Sequence, residues 1–337
     1  MSETKTEVTF KQVAIVGAGA IGGWMGVHLA RAGAQVSVLA RGDTLQALQK
    51  NGLQMHQGVE LHRVPVVASD DAASLGVQDL VVISVKAPAL ASVAAQVGPL
   101  IGPHTVVLTA MNGVPWWFLQ GFGGPVEGHS LSSVDPDGAI ARALPAAHII
   151  GCVVHASCSV DAPGVIRHHF GDGLIVGEPS GQPTARVQAL HALLQQAGFN
   201  ATLSPQIQKD IWYKLWGNMT VNPVSAITGA TTDRILDDEL VRGFISNVML
   251  EAKTIGERIG IPIAQAPEDR HAMTRKLGAF KTSMLQDVQA GKPVELDALV
   301  SAVRELGQLT QVATPFTDAL LGLSRLQARG LGLYPAQ

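Results

Sequence analysis

Between Gln12 and Arg41 the chain reads as an apolar run (VAIV), a glycine-rich turn (GAGAIGG), a helical pattern that stops near Gly33, and a second apolar run (VSVLA). That strand, helix, strand order opens a doubly wound parallel sheet. Further apolar runs at residues 80–86 (LVVISVK) and 105–113 (TVVLTAMNG) flank an alanine-rich segment suited to a packing helix, and bring the expectation to four parallel strands. Residues 113–138, GVPWWFLQGFGGPVEGHSLSSVDPDG, are rich in Gly and Pro without a steady period, which predicts a long excursion. Beyond it, HIIGCVVHASCSV and GVIRHHFGDGLIVGE predict two more strands joined by a turn at Pro163 and Gly164.

From about residue 188 the period becomes helical. ARVQALHALLQQAG predicts the last helix of a first domain, with Gly198 as its stop signal. A short strand, NATLSP, follows, and only helical periodicity continues to the end. The chain therefore divides into an α/β domain over 1–204 and an all-helical domain over 205–337, with no internal repeat.

Composition narrows the partners. Of the 337 residues, 47% are hydrophobic and 15% charged, enough for a buried core in two domains. A net charge of -3 with 4% aromatic residues gives no electrostatic footprint for nucleic acid or an anionic membrane. The N-terminal MSETKTEVTFKQ lacks the apolar core of a signal peptide, and Lys86 and Pro88 interrupt the apolar stretch from Leu80. The expectation is a cytoplasmic protein without a membrane span, with a homodimer left open. Cys152 and Cys158 match no zinc or redox spacing, and the adjacent His168 and His169 would face opposite sides of a strand, so no metal is expected.

Gly17, Gly19 and Gly22 form GxGxxG between the first strand and the first helix. In a dinucleotide site the first glycine permits the tight turn, the second admits the pyrophosphate, and the third lets helix pack on strand. The backbone of Gly17, Ala18, Gly19, Ala20, Ile21 and Gly22 would then meet the phosphates at the positive end of the helix. Arg41 ends the second strand, where an NAD site usually carries an acid, and a guanidinium there suits the 2'-phosphate of NADPH. The alternative is a surface arginine with Asp43 as the ribose partner. Lys86 and Asn112 follow the third and fourth predicted strands, where ligands bind in open α/β sheets, although a strand-end lysine and an Asn-Gly turn are also ordinary.

In the segment WYKLWGNMTVNP, Lys214, Asn218 and Asn222 recur every fourth residue. On a helix this spacing makes one slowly drifting stripe. A partly desolvated ammonium suits a general acid, and amides suit an oxygen-rich ligand. A stripe facing solvent fits the periodicity equally well, and Pro223 either kinks the helix or ends it. Further on, Ser283 lies on one predicted helix and Glu295 at the start of the next, where an acid is also favoured by the helix dipole.

Together GAGAIG, Lys86, the Asn112-Gly113 pair, KLWGNMTVNPVSAI, and SMLQD followed by VELD resemble the ketopantoate reductase (2-dehydropantoate 2-reductase) family over about residues 12 to 310. The resemblance implies an NADPH-binding Rossmann-type domain, then a helical domain, with a 2-oxo acid reduced in the cleft between them. It implies Lys214 as proton donor, Asn218, Asn222 and Ser283 as substrate contacts, and Glu295 beside the nicotinamide ribose and the reacting groups. It further implies Asn112 at both cofactor and substrate, Arg41 and Lys86 on the 2'-phosphate, and a backbone contact near Ser157. The sequence departs from the family at Thr232 and Phe280, where the resemblance leads one to expect substrate-binding asparagines, and in the length of the 113–138 excursion. The substrate could accordingly be a more apolar 2-oxo acid, and a non-catalytic NADPH-binding regulator on the same scaffold is a further alternative. The excursion's aromatic residues read as a surface feature or as a wall over the cleft.

Overall fold

The computed structural model describes residues 8–336, so the first seven residues of the polar N-terminal segment lie outside it. By their contacts the residues form two compact units. One holds the chain through Met111 together with Ala139–Ile207; the other holds Asn112–Gly138 and the chain from Gln208.

The first unit contains strands β1 (Gln12–Val16), β2 (Gln35–Leu39), β3 (Leu53–Gln57), β4 (Glu60–Val64), β5 (Val67–Ser69), β6 (Leu80–Ile83), β7 (Val106–Thr109), β8 (Ile149–Ala162), β9 (Val165–Gly177) and β10 (Asn200–Leu203). Its helices are α1 (Ala20–Arg31), α2 (Gly42–Asn51), α3 (Ala72–Leu75), α4 (Leu90–Ala94), α5 (Ala139–Ala143) and α6 (Ala185–Gln196). Along the sheet, β5, β2, β1, β6, β7 and β8 lie side by side and parallel. Numbered along the chain, those six strands give the order 3-2-1-4-5-6 of a dinucleotide-binding sheet. Every residue of β6 and β7 is buried, which is why both read as unbroken apolar runs. Past β8 the sheet continues through the antiparallel β9, then β3 and β4, with β10 also on β9. The turn joining β8 to β9 is at Pro163 and Gly164, as expected.

Helix α1 packs closely on the extra strands. A Cβ at Gly23 would stand 2.5 Å from Ile166 Cγ1, and one at Gly26 would stand 2.9 Å from Leu53 Cδ2. Gly23 and Gly26 are therefore a helix face trimmed to receive β9 and β3. Strands β3 to β5 fall where the hydrophobic pattern assigns no element.

The second unit is helical apart from its 112–138 segment. It contains α7 (Ile207–Thr228), α8 (Thr232–Asp237), α9 (Glu239–Ile259), α10 (Pro267–Arg275), α11 (Ser283–Gln289), a π-helix (Asp297–Ser301) running into α12 (Ala302–Thr310), and α13 (Pro315–Gly330). Asp238 caps α9 by accepting from Leu240 N and Val241 N, and Gly260 ends it in the left-handed conformation at φ 89°. Between those signals Ile245, Val248, Met249, Ala252, Ile255 and Ile259 form one buried face. Trp212, Leu215, Trp216 and Met219 bury the opposing side of α7, and Trp216 Nε1 donates to Met249 O at 2.7 Å. Pro223 does not end α7, which continues to Thr228.

The apolar part of the excursion belongs to this helical core, which corrects the expectation of a surface feature. Trp117, Phe118 and Leu119 are 1%, 0% and 1% exposed, and the Phe118 and Trp212 rings lie 6.0 Å apart. Large apolar side chains are driven inward by roughly 25 cal/mol for each Å² removed from water, and the segment is long enough to follow them. Glu305 of α12 holds its far part by accepting from Ser132 N (2.7 Å), Ser132 Oγ (2.9 Å) and Ser133 N (2.8 Å). Residues 112–138 thus count with the helices, although they lie inside the span expected for the α/β domain.

Among the described residues no helix is long and apolar enough to cross a membrane, and no cluster of three metal-ligating side chains occurs.

Candidate active site

The three glycines after β1 meet three different demands. Gly17 adopts φ 94°, and a Cβ there would lie 2.7 Å from Val85 Cγ1. At Gly22 a Cβ would lie 2.1 Å from Ser84 Oγ and 2.2 Å from Gly17 O, so only glycine lets α1 start this close to the strands. At Gly19, the residue before α1, a Cβ would meet nothing within 4 Å. The tight turn and the close packing are thus filled by the protein itself, while the middle position opens onto space. No side chain caps α1 and no acid stands in its first turn, so the N–H groups of Ala20, Ile21 and Gly22 and the positive end of the helix dipole suit an anion. Ser84, which the sequence does not single out, ties the ends of β1 and β6 by donating to Gly17 O at 2.8 Å. That junction is where the strand order reverses, and ligands bind there in open α/β sheets.

Arg41 lies two residues beyond β2 at the start of α2. Its side chain is exposed and joins no ion pair among the described residues. Asp43 is exposed in the first turn of the same helix. Lys86 is exposed after β6, ahead of a 3₁₀ turn over Ala87–Ala89. Ser157 sits in β8 opposite Phe170, with a register irregularity on either side of it, so the regular ladder is interrupted there.

In the helical unit, Lys214 Nζ donates to Asn112 Oδ1 at 2.9 Å. The two residues brought together are the proposed proton donor and the asparagine of the Asn-Gly turn, more than a hundred positions apart. Farther along the same stripe of α7, Asn218 is half-buried and Asn222 is 7% exposed. A fully solvated face would not bury an amide to that degree. The Asn112 turn is fixed from below: Val114 N donates to Ala298 O at 2.8 Å, and a Cβ at Gly113 would lie 2.6 Å from that oxygen. Ala298 is in the π-helix. Glu295, 8% exposed, begins the same segment, and its carbonyl accepts from Leu299 N at 3.2 Å. The segment therefore carries Glu295 and supports Asn112 at once. Nothing in the sequence marks Ala298 for that role.

Ser283 is the exposed first residue of α11, behind Thr282, whose hydroxyl accepts from Leu285 N. Thr232 and Phe280 are drawn together. Thr232 N donates to Phe280 O at 3.0 Å, and Thr232 Oγ1 donates to Gly278 O at 2.7 Å. The threonine hydroxyl is used within the fold. Arg270 was also not foreseen: its guanidinium lies over the Tyr213 ring at 5.4 Å and against Gly217, three residues after Lys214. Burial lowers its pKa, while Tyr213 opposes that shift.

Known proteins resemble the chain over nearly its whole length. The family model described as ketopantoate reductase PanE/ApbA matches residues 13–181, and the model of its C-terminal region matches 206–328. A 2-dehydropantoate 2-reductase of Mesorhizobium japonicum is 45% identical over 324 residues, covering 96% of this chain and 99% of the relative. A crystal structure from Ralstonia solanacearum MolK2, assigned to the ketopantoate reductases, superposes with a TM-score of 0.94 at 56% identity, covering 97% of this chain and 100% of that one. A D-mandelate dehydrogenase solved with NADH and anilino(oxo)acetate shares the fold, with a TM-score of 0.82 at 20% identity over 96% of this chain and 99% of that one. With two family models covering most of the chain and a relative 45% identical over nearly its whole length, the chain belongs to the ketopantoate reductase family of NADP-dependent oxidoreductases.

Proposed function

We propose that this protein reduces 2-dehydropantoate, or a closely related 2-oxo acid, to the 2-hydroxy acid with NADPH, as a step of pantothenate biosynthesis in the cytoplasm. The observation that carries the reading is the 2.9 Å bond from Lys214 Nζ to Asn112 Oδ1. NADPH, when bound, supplies the hydride for the ketone carbon.

The chain's own residues then have distinct tasks. The glycine turn offers backbone N–H groups to the pyrophosphate, Arg41 and Lys86 take the 2'-phosphate, and Ser157 adds a backbone contact. Lys214 holds a proton at the carbonyl oxygen, where negative charge develops as the carbon is reduced. Asn112 accepts one of the three ammonium N–H bonds, which fixes the head group. Asn218, Asn222 and Ser283 hold the oxygen-rich acid, and Glu295 stands by the nicotinamide ribose and the reacting groups. A homodimer is the assembly to look for.

The test is NADPH oxidation with a panel of 2-oxo acids that includes 2-dehydropantoate and more apolar members. Turnover of 2-dehydropantoate above the rest supports the reading. Turnover of none would leave a nucleotide-binding protein without this reaction.

A further inference from the structure

We propose that the C-terminal end of the chain is a clasp that positions Glu295, with Tyr334 as a positioning residue for the reduction. The inference rests on the role given to Glu295 above. Two bonds from the tail bracket that residue. On one side Val294 N donates to Leu333 O at 3.1 Å, and on the other Tyr334 Oη donates to Asp297 Oδ1 at 2.5 Å.

The tail is itself anchored. Leu333 is 7% exposed and its N–H returns to Ala328 O at 2.8 Å, while Arg329 lies over the Tyr334 ring at 5.6 Å and donates to Pro335 O. The segment it holds needs fastening. Asp297–Ser301 is a π-helix, a rare conformation that occurs mostly as single turns joined to α-helices and frequently at functional sites. Asp297 Oδ1 also accepts from Ser301 Oγ at 3.0 Å, so one carboxylate ties both ends of that turn to Tyr334. One residue beyond Asp297, Ala298 O holds Val114 N and with it the Asn112 turn. A shift at Tyr334 thus reaches Glu295 and the Lys214 partner through at most four residues. Burial, then the bond to Asp297, pushes the Tyr334 phenol up to about 12, so it remains a donor at ordinary assay pH.

A double-mutant cycle on the full-length enzyme tests the clasp. Tyr334→Phe and, from the other side of the bond, Asp297→Ala should each lower kcat roughly 10- to 100-fold, the range expected for misplaced reacting groups. The NADPH KM should stay within about twofold, because uniform binding is untouched. In a Glu295→Gln background Tyr334→Phe should cost nothing further. An equal loss in both backgrounds, or an unchanged kcat in Tyr334→Phe, overturns the proposal. If the native chain reduces no 2-oxo acid, the functional reading fails separately. The clasp is then read from the ¹³C chemical shift of the Glu295 carboxyl, which should move in Tyr334→Phe; an unmoved resonance overturns it.

Discussion

Lys214 donates a hydrogen bond to the side-chain oxygen of Asn112 at 2.9 Å, and both residues belong to the helical unit although Asn112 comes soon after β7 of the α/β sheet. A hydrogen bond to a charged group contributes about 1.5 to 3 kcal/mol. Removing the acceptor in Asn112→Ala should therefore lower kcat/KM about 10- to 150-fold, since each 1.36 kcal/mol is about a factor of ten. Steady-state kinetics check this, with Asn112→Asp as the comparison that keeps an acceptor and adds charge.

The glycine turn predicts two opposite outcomes from two similar substitutions. Gly19→Ala meets open space, so thermal melting should be unchanged while the NADPH dissociation constant rises. In Gly22→Ala the added Cβ would sit 2.2 Å from a backbone oxygen, so the fold itself should lose stability. Melting curves alongside fluorescence titration with NADPH distinguish the two.

Cofactor preference should reside largely in Arg41, the exposed residue at the head of α2. Each charge-assisted bond to a 2'-phosphate is worth about 1.5 to 3 kcal/mol. Arg41→Ala is expected to reduce kcat/KM for NADPH at least about tenfold and leave that for NADH nearly unchanged. An unaltered ratio would return the ribose contact to Asp43 or another group.

Glu305 gives a pH dependence to the anchoring of the excursion. Burial alone would raise its pKa, but hydrogen bonds from Ser133 and Ser132 outweigh it, and the net shift is below the ordinary 4.5. A carboxylate with a depressed folded-state pKa stabilises fully above its unfolded value, and loses that contribution as pH falls through the folded one. Because Glu305 is partly solvated, the contribution is less than about 1 kcal/mol. Native protein should melt above Glu305→Gln at about pH 7, and the difference should vanish as the pH drops below 4.5 toward the depressed value.

The local signals in the sequence were sufficient for the first half of the sheet. Strands β1, β6 and β7 are apolar because both faces are covered, β2 alternates, and Gly17 and Gly22 stand at positions that only glycine tolerates. Strands β3 and β4 were not legible because they are short and half-exposed, with alternation too brief to separate from a loop. On α7 the spacing of Lys214, Asn218 and Asn222 showed one stripe but not what it faces, since burial depends on elements distant in sequence. The support of Asn112 by Ala298 spans nearly two hundred positions, and a π-helix carries no periodic signature over five residues. The aromatic cluster at Trp116 to Leu119 was visible as apolar, yet the surrounding Gly and Pro concealed that it enters the helical core.

The most direct test of the reduction chemistry is the turnover number of native protein and Lys214→Ala with NADPH and 2-dehydropantoate, with NADPH affinity measured in parallel. General acid catalysis contributes about 10²- to 10⁴-fold. Lys214→Ala should lose kcat in that range with the dissociation constant for NADPH unchanged. Equal turnover by the two proteins would contradict it.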